Sequence, residues 1–142
     1  MLHCSKDESF QKTQIQRVYN WIGSSWQQLG FDIDGEASGD YSGSSVSLSS
    51  DGQTLAIGAP GNDGSASYSG HVRIYSWNGS SWQQKGSDID GEEWNDQSGE
   101  SVSISSDGNI IAIGAKLDDN VNGNNSGHVK IYNWDGSSWN QV

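Results

Sequence analysis

The sequence predicts an all-β protein built as an open stack of four-stranded antiparallel units, and three observations predict it. A long segment occurs twice: residues 43–60 read GSSVSLSSDGQTLAIGAP and residues 99–116 read GESVSISSDGNIIAIGAK. Aromatic residues return with it: Tyr19, Tyr75 and Tyr132 are spaced 56 and 57 residues apart. Trp21, Trp77 and Trp134 keep that spacing, as do Trp26, Trp82 and Trp139. Within each unit apolar residues alternate with period two, and no part of the repeat region carries a 3.6-residue apolar period. Repeats of this length mark solenoids, propellers or arrays.

Residues 1–15 belong to no copy; they are expected to form a loose leader, with a first edge strand beginning near Ile15. From Gln16 the register is strict, and residues 17–63 match residues 73–119 at 30 of 47 positions. One extra residue falls in the Asn/Gly-rich stretch 120–126, where a loop absorbs it. The units read as a half blade at 16–30 and two whole blades at 43–86 and 99–142.

Each unit holds four strand signals. Val46 and Leu48 alternate with Ser45, Ser47 and Ser49, and Leu55 and Ile57 alternate with Ala56 and Gly58. Asp51-Gly52 lies between the two runs and predicts a tight hairpin, because Gly takes positive φ without a steric cost. Val72 and Ile74 open a third strand ending near Trp77, Asn78-Gly79-Ser80-Ser81 turns the chain, and Trp82-Gln83-Gln84 forms the fourth. The first two strands place large aliphatics on one face and Ser, Ala or Gly on the other. Such a sheet buries both faces if a neighbour's bulky side nests against its small side. The Trp pair flanking each GSS turn is placed for a cross-strand contact, a kind of pair that contributes roughly 0.5–1.5 kcal/mol beyond area burial.

The totals narrow the function classes. The chain has 142 residues, 19 Gly, 7 Trp and a net charge of −11, with 18% of residues charged. Seven basic residues are too few to neutralise a phosphate backbone, so nucleic acid is not an expected partner. No run approaches the roughly 20 apolar residues that span a bilayer, so no membrane insertion is expected. Cys4 is the single cysteine and builds neither an intrachain disulfide nor a Cys-based zinc site. The N-terminal sequence MLHCSKDESFQKTQ lacks the apolar core of a secretory signal.

The pattern GxSVSxSSDGxxxAIGA followed by SGHVxIYxWxGSSW resembles the FG-GAP repeats of integrin-alpha-like β-propellers. Gly43, Ser45 and Val46 match the opening Phe-Gly-x-Ser-Val, with Ser42 and Ser98 in place of Phe, and Gly58-Ala59-Pro60 matches the Gly-Ala-Pro. The second copy ends Gly114-Ala115-Lys116. The resemblance implies a partial, open β-propeller of about two and a half blades, fewer than the roughly four to eight of a closed one. It also implies a non-enzymatic binding or adhesion module at the cell surface or outside the cell. The period is too long for a WD repeat, whose blades run to about 40–45 residues. Kelch glycine pairs are absent. Family members often carry a calcium loop in the first hairpin; here only Asp51-Gly52 and Asp107-Gly108 of it remain, so no metal is assigned to Asp51 or Asp107.

Other candidates are weighed against plain structural roles. Asp32, Asp34 and Glu36 recur as Asp88, Asp90 and Glu92. In extended chain the two aspartates of each set project from one face, which suits a weak cation site; the competing reading is a connection whose carboxylates cap turns. Calcium would be the cofactor if there is one. The Trp hairpins suit a sugar-stacking platform but also inter-blade packing, which their presence in every unit favours. Trp94 has no counterpart, Ser38 standing in its place, and is the aromatic expected to be exposed. His71 and His128 precede equivalent strands and are expected on different blades as hydrogen-bonding residues. No serine–histidine–acid spacing and no phosphate loop is present, so no catalytic residue is expected. Three functional readings follow: a module presenting loops to a protein partner, a glycan binder using exposed Trp and Asp, or a fragment of a larger propeller with no independent function. Uncovered blade faces and edges predict self-association.

Overall fold

The computed structural model describes residues 2–7, 14–119 and 123–142, the first of these through its backbone. The described residues form β-strands, turns and loops and no helix, so none is available to cross a membrane. The strands are grouped into three antiparallel sheets, none of them closed.

The first sheet contains β1 (Leu2–Asp7), β2 (Ile15–Trp21), β3 (Trp26–Gln28) and β4 (Ile33–Asp34). The middle sheet contains β5 (Ser45–Leu48), β6 (Thr54–Ala59), β7 (His71–Trp77), β8 (Trp82–Gln84) and β9 (Ile89–Asp90). The last sheet contains β10 (Ser98–Ile104), β11 (Ile110–Ala115), β12 (His128–Trp134) and β13 (Trp139–Gln141). β8 and β9 share one edge of β7, pairing with its end and its start respectively. β3 and β4 do the same along β2.

The loose leader expected over residues 1–15 contains a paired strand. β1 runs antiparallel to β2 from Leu2 opposite Asn20 to Asp7 opposite Ile15, taking the position that β6 holds beside β7. The half unit has no inner hairpin of its own, so β2 has an open edge whose N–H and C=O groups need a partner. Of the stretch 120–126, residues 120–122 lie outside the described residues.

Facing residues follow the pleat. Val46 and Leu48 of β5 stand opposite Ile57 and Leu55 of β6, while Ser45 and Ser47 stand opposite Gly58 and Ala56. The bulky face meets the first sheet, where Leu55, Ile57 and Tyr75 bury against Val18 and Ile33. The small face meets the last sheet, where Ala56, Val72 and Ile74 bury against Ile111 and Ile113. Burying each such aliphatic is worth about 1.5–3 kcal/mol relative to leaving it exposed. Bulky and small faces therefore nest.

The seam between the middle and last sheets is unusually close. A Cβ on Gly58 would lie 2.0 Å from the Gly99 carbonyl oxygen, so only a glycine lets β10 pass there. Serines of the small face supply polar contacts across it: Ser45 Oγ donates to Gly99 O at 2.8 Å, and Ser47 Oγ accepts from Ile104 N at 3.1 Å. The tryptophans join the same seams. Trp82 Nε1 donates to Leu29 O at 3.0 Å, and Trp139 Nε1 donates to Lys85 O at 2.8 Å. One bond is thus repeated at both junctions, one period apart.

Candidate functional site

Four acid–base side chains converge where the first sheet meets the middle one. His71 begins β7, paired on one side with Ala59 of β6 and on the other with Asp90 of β9, and its side chain is 2% exposed. Its Nδ1 lies 3.6 Å from Asp88 Oδ2, 4.0 Å from Glu36 Oε2 and 4.0 Å from Asp90 Oδ1. Glu36 arrives from the connection after β4, Asp88 from the connection after β8, and Asp90 from β9. Among the described residues, Glu36, His71 and Asp88 form the one grouping with ligand atoms all within 4.8 Å of one another.

Glu36 and Asp88 are each held from behind. Arg73 Nη1 sits 3.6 Å from Glu36 Oε1, and Asn62 Nδ2 donates to Glu36 Oε2 at 3.3 Å. Gln84 Nε2 donates to Asp88 Oδ1 at 2.5 Å, leaving Oδ2 turned toward His71. Arg73 also donates through Nη2 to Asp34 O at 2.7 Å. Burial holds the His71 pKa below the usual histidine value, against the opposite pull of Asp88. Burial also raises the carboxyl of Asp90 above the ordinary aspartate range.

The triplets read from the sequence are therefore divided. Asp32 is occupied by Arg17, whose Nη2 donates to it at 3.0 Å, and by Gln28 Nε2 at 2.7 Å; the Arg17 bond chiefly lowers its pKa. Asp34 contributes its backbone carbonyl, and Glu36 is drawn to His71. The second triplet is split in the same way: Asp88 and Asp90 turn back to His71, while Glu92 goes forward to the last sheet. There Lys130 Nζ lies 3.0 Å from Glu92 and 3.7 Å from Asp118, with His128 Nδ1 3.5 Å from Asp118. The two histidines thus serve separate clusters. Sequence reading missed the gathering at His71, and the available signal was that Glu36, His71 and Arg73 have period-matched counterparts in Glu92, His128 and Lys130.

The hairpin aspartates are engaged in their own turns. Asp51 Oδ1 accepts from Ser49 Oγ at 2.6 Å and Gln53 N at 2.9 Å, and Asp107 Oδ1 accepts from Ser105 Oγ at 2.5 Å and Asn109 N at 3.1 Å. The Trp pairs meet as expected, with ring centroids 5.5, 5.5 and 5.4 Å apart. Trp77 packs on Gly30 of the preceding copy and Trp134 on Gly86, which accounts for both by packing. Trp94 is 73% exposed.

A second feature lies at the end of the seam between the middle and last sheets. Tyr41, Pro60, Tyr68, Gln97 and Lys116 line a shallow cleft of about 190 Å³. Tyr41 and Tyr68 are exposed and hold left-handed backbone, φ 55° and 56°. The equivalent Gln97 and Asn125 share that conformation at φ 55° and 53°. A tyrosine rarely adopts it unless its surroundings compel it.

Residues 33–75 and 83–132 match the model of the FG-GAP repeat. The chain belongs to the FG-GAP repeat family. The matched segments cover most of the middle and last sheets, the region of nested faces and repeated Trp bonds. FG-GAP repeats form propeller-type modules often concerned with binding. The His71 cluster is made by β7, β9 and the connections after β4 and β8, and not by the first hairpin. A sequence search of curated proteins found no match.

Proposed function

We propose that this chain is a non-enzymatic binding or adhesion module, an open segment of a β-propeller that presents loops at one end of its sheets to a protein partner. The observation that carries this reading is the Tyr41–Tyr68 cleft. Two exposed tyrosines on constrained backbone give broad, amphipathic contact area at low entropic cost, as in other protein-recognition surfaces. Stacking of sheets through a repeated seam supports the propeller geometry. Trp94 supports the glycan-binding alternative. On a glycan array the chain is expected to bind no sugar; a hit abolished by Trp94→Ala would replace the protein-binding reading.

A second copy of the chain is the partner proposed for the bare face of the last sheet. Val129 and Ile131 are 61% and 43% exposed there, whereas Val72 and Ile74 at the same repeat positions are fully covered by the last sheet. A groove of about 360 Å³ runs along this face past Gly114 and Val129. Trp21 and Trp26 of the first sheet, the counterparts of the seam tryptophans, are 43% and 44% exposed and form the complementary surface. The pairing is head-to-tail, which closes a ring or extends a filament. Light scattering after size exclusion is expected to show a dimer or larger species; a stable, well-folded monomer would refute it.

A further inference from the structure

We propose that Glu36, His71 and Asp88 bind one divalent transition-metal ion of the zinc–cobalt–manganese class, clamping the first sheet to the middle one. The first argument is donor type. An imidazole with carboxylates suits these ions, whereas calcium takes roughly six to eight oxygens and little nitrogen. The second is spacing. Glu36 Oε2 and Asp88 Oδ2 stand 4.0 and 3.6 Å from His71 Nδ1, outside hydrogen-bonding distance, and the three ligand atoms all lie within 4.8 Å of one another, as around a small cation.

The imidazole itself is the independent sign of a ligand. The His71 side chain is 2% exposed, makes no hydrogen bond among the described residues, and turns Nδ1 into the cluster. A buried polar ring is ordinarily bonded. Charge agrees: the carboxylates of Glu36 and Asp88 and of neighbouring Asp90 oppose Arg73, and one divalent ion balances the remaining two negative charges. The outer contacts are those of a metal site, in which second-sphere donors fix each ligand's orientation. Arg73 and Asn62 hold Glu36, and Gln84 holds Asp88. The carboxylates of Glu36, Asp88 and Asp90 are 47%, 28% and 45% exposed, which leaves an ion a path in from solvent. In the neighbouring repeat a lysine ammonium, Lys130, takes the position between Glu92 and Asp118.

The test uses chelator-treated full chain titrated with zinc chloride by calorimetry and with cobalt chloride by visible absorption. Saturable uptake of one ion per chain is expected, with a melting temperature that rises with zinc concentration, since a ligand of the folded state alone stabilises it by mass action. Asp88→Asn, partly exposed and so expected to fold, should weaken affinity at least about tenfold, and Gln84→Ala comparably. Cys4→Ser and His128→Gln should bind as the unaltered chain does. The proposal is overturned by absence of saturable uptake in the unaltered chain, by undiminished uptake in Asp88→Asn, or by uptake that depends on Cys4.

Discussion

At position 58 the absence of a side chain decides how closely two sheets approach. In Gly58→Ala the new Cβ would meet the Gly99 carbonyl oxygen at 2.0 Å and Ser45 Oγ at 2.4 Å, and a backbone oxygen cannot rotate away. Gly114 holds the same place one copy later, but there the nearest atom is Ser101 Oγ, a hydroxyl free to turn toward the bare face. Gly58→Ala should cost about 2–3 kcal/mol and Gly114→Ala less than about 1 kcal/mol, read from urea unfolding by tryptophan fluorescence. Equal losses would mean that the seam is not closed by that contact. Chemistry is also placed residue by residue. Asp32 and Asp88 each open the same Asp-Ile-Asp-Gly-Glu run, yet one faces Arg17 and the other a buried imidazole. The difference is that His71 stands where the first copy has no histidine, position 15 being Ile.

Hairpins and seam strands show how the repeated elements are stabilised. Ser49 and Ser105 hydroxyls, followed by backbone N–H groups, hold the Asp51 and Asp107 carboxyls below their ordinary pKa of 3.8. A carboxylate whose folded pKa is depressed contributes fully above its unfolded value, and that contribution is lost as pH falls through the folded one. Acid unfolding below about pH 4 should therefore be shallower in Asp51→Asn/Asp107→Asn than in the unaltered chain, followed by circular dichroism. An unchanged slope would show that the turns do not contribute. Asn should keep the turn itself, since Asn78 and Asp135 play equivalent parts in two of the three GSS turns. In the outer hairpins, Trp82→Phe keeps an aromatic, if smaller, ring but loses the bond to Leu29 O, and should cost at least about 1 kcal/mol in a denaturant titration. No loss would assign that tryptophan's role to its ring alone.

Over the whole molecule, internal repetition supplies its own control. One face of the middle sheet is covered and its copy in the last sheet is bare, so the residues of an interface can be read from one and tested in the other. Ile131→Lys should convert the proposed assembly to monomer with the unfolding free energy changed by no more than about 0.5 kcal/mol, because the side chain is already partly in water. Persistence of the larger species in light scattering would place the interface elsewhere. The sequence by itself determined the four strands of each repeat, their turns, the repeat and the nesting of bulky against small faces, because alternation, Asp-Gly and Gly-Ser-Ser are local patterns with local consequences. It did not determine the short β4 and β9. It could not show that Leu2–Asp7 pairs with β2, since an open edge accepts strands with no repeat signature. Nor could it show that Glu36, Asp88 and Asp90 meet at His71. Only the tertiary structure decided that, because Glu36 belongs to the first sheet's side of the seam and His71, Asp88 and Asp90 to the middle sheet's, and proximity across a seam depends on how whole sheets pack.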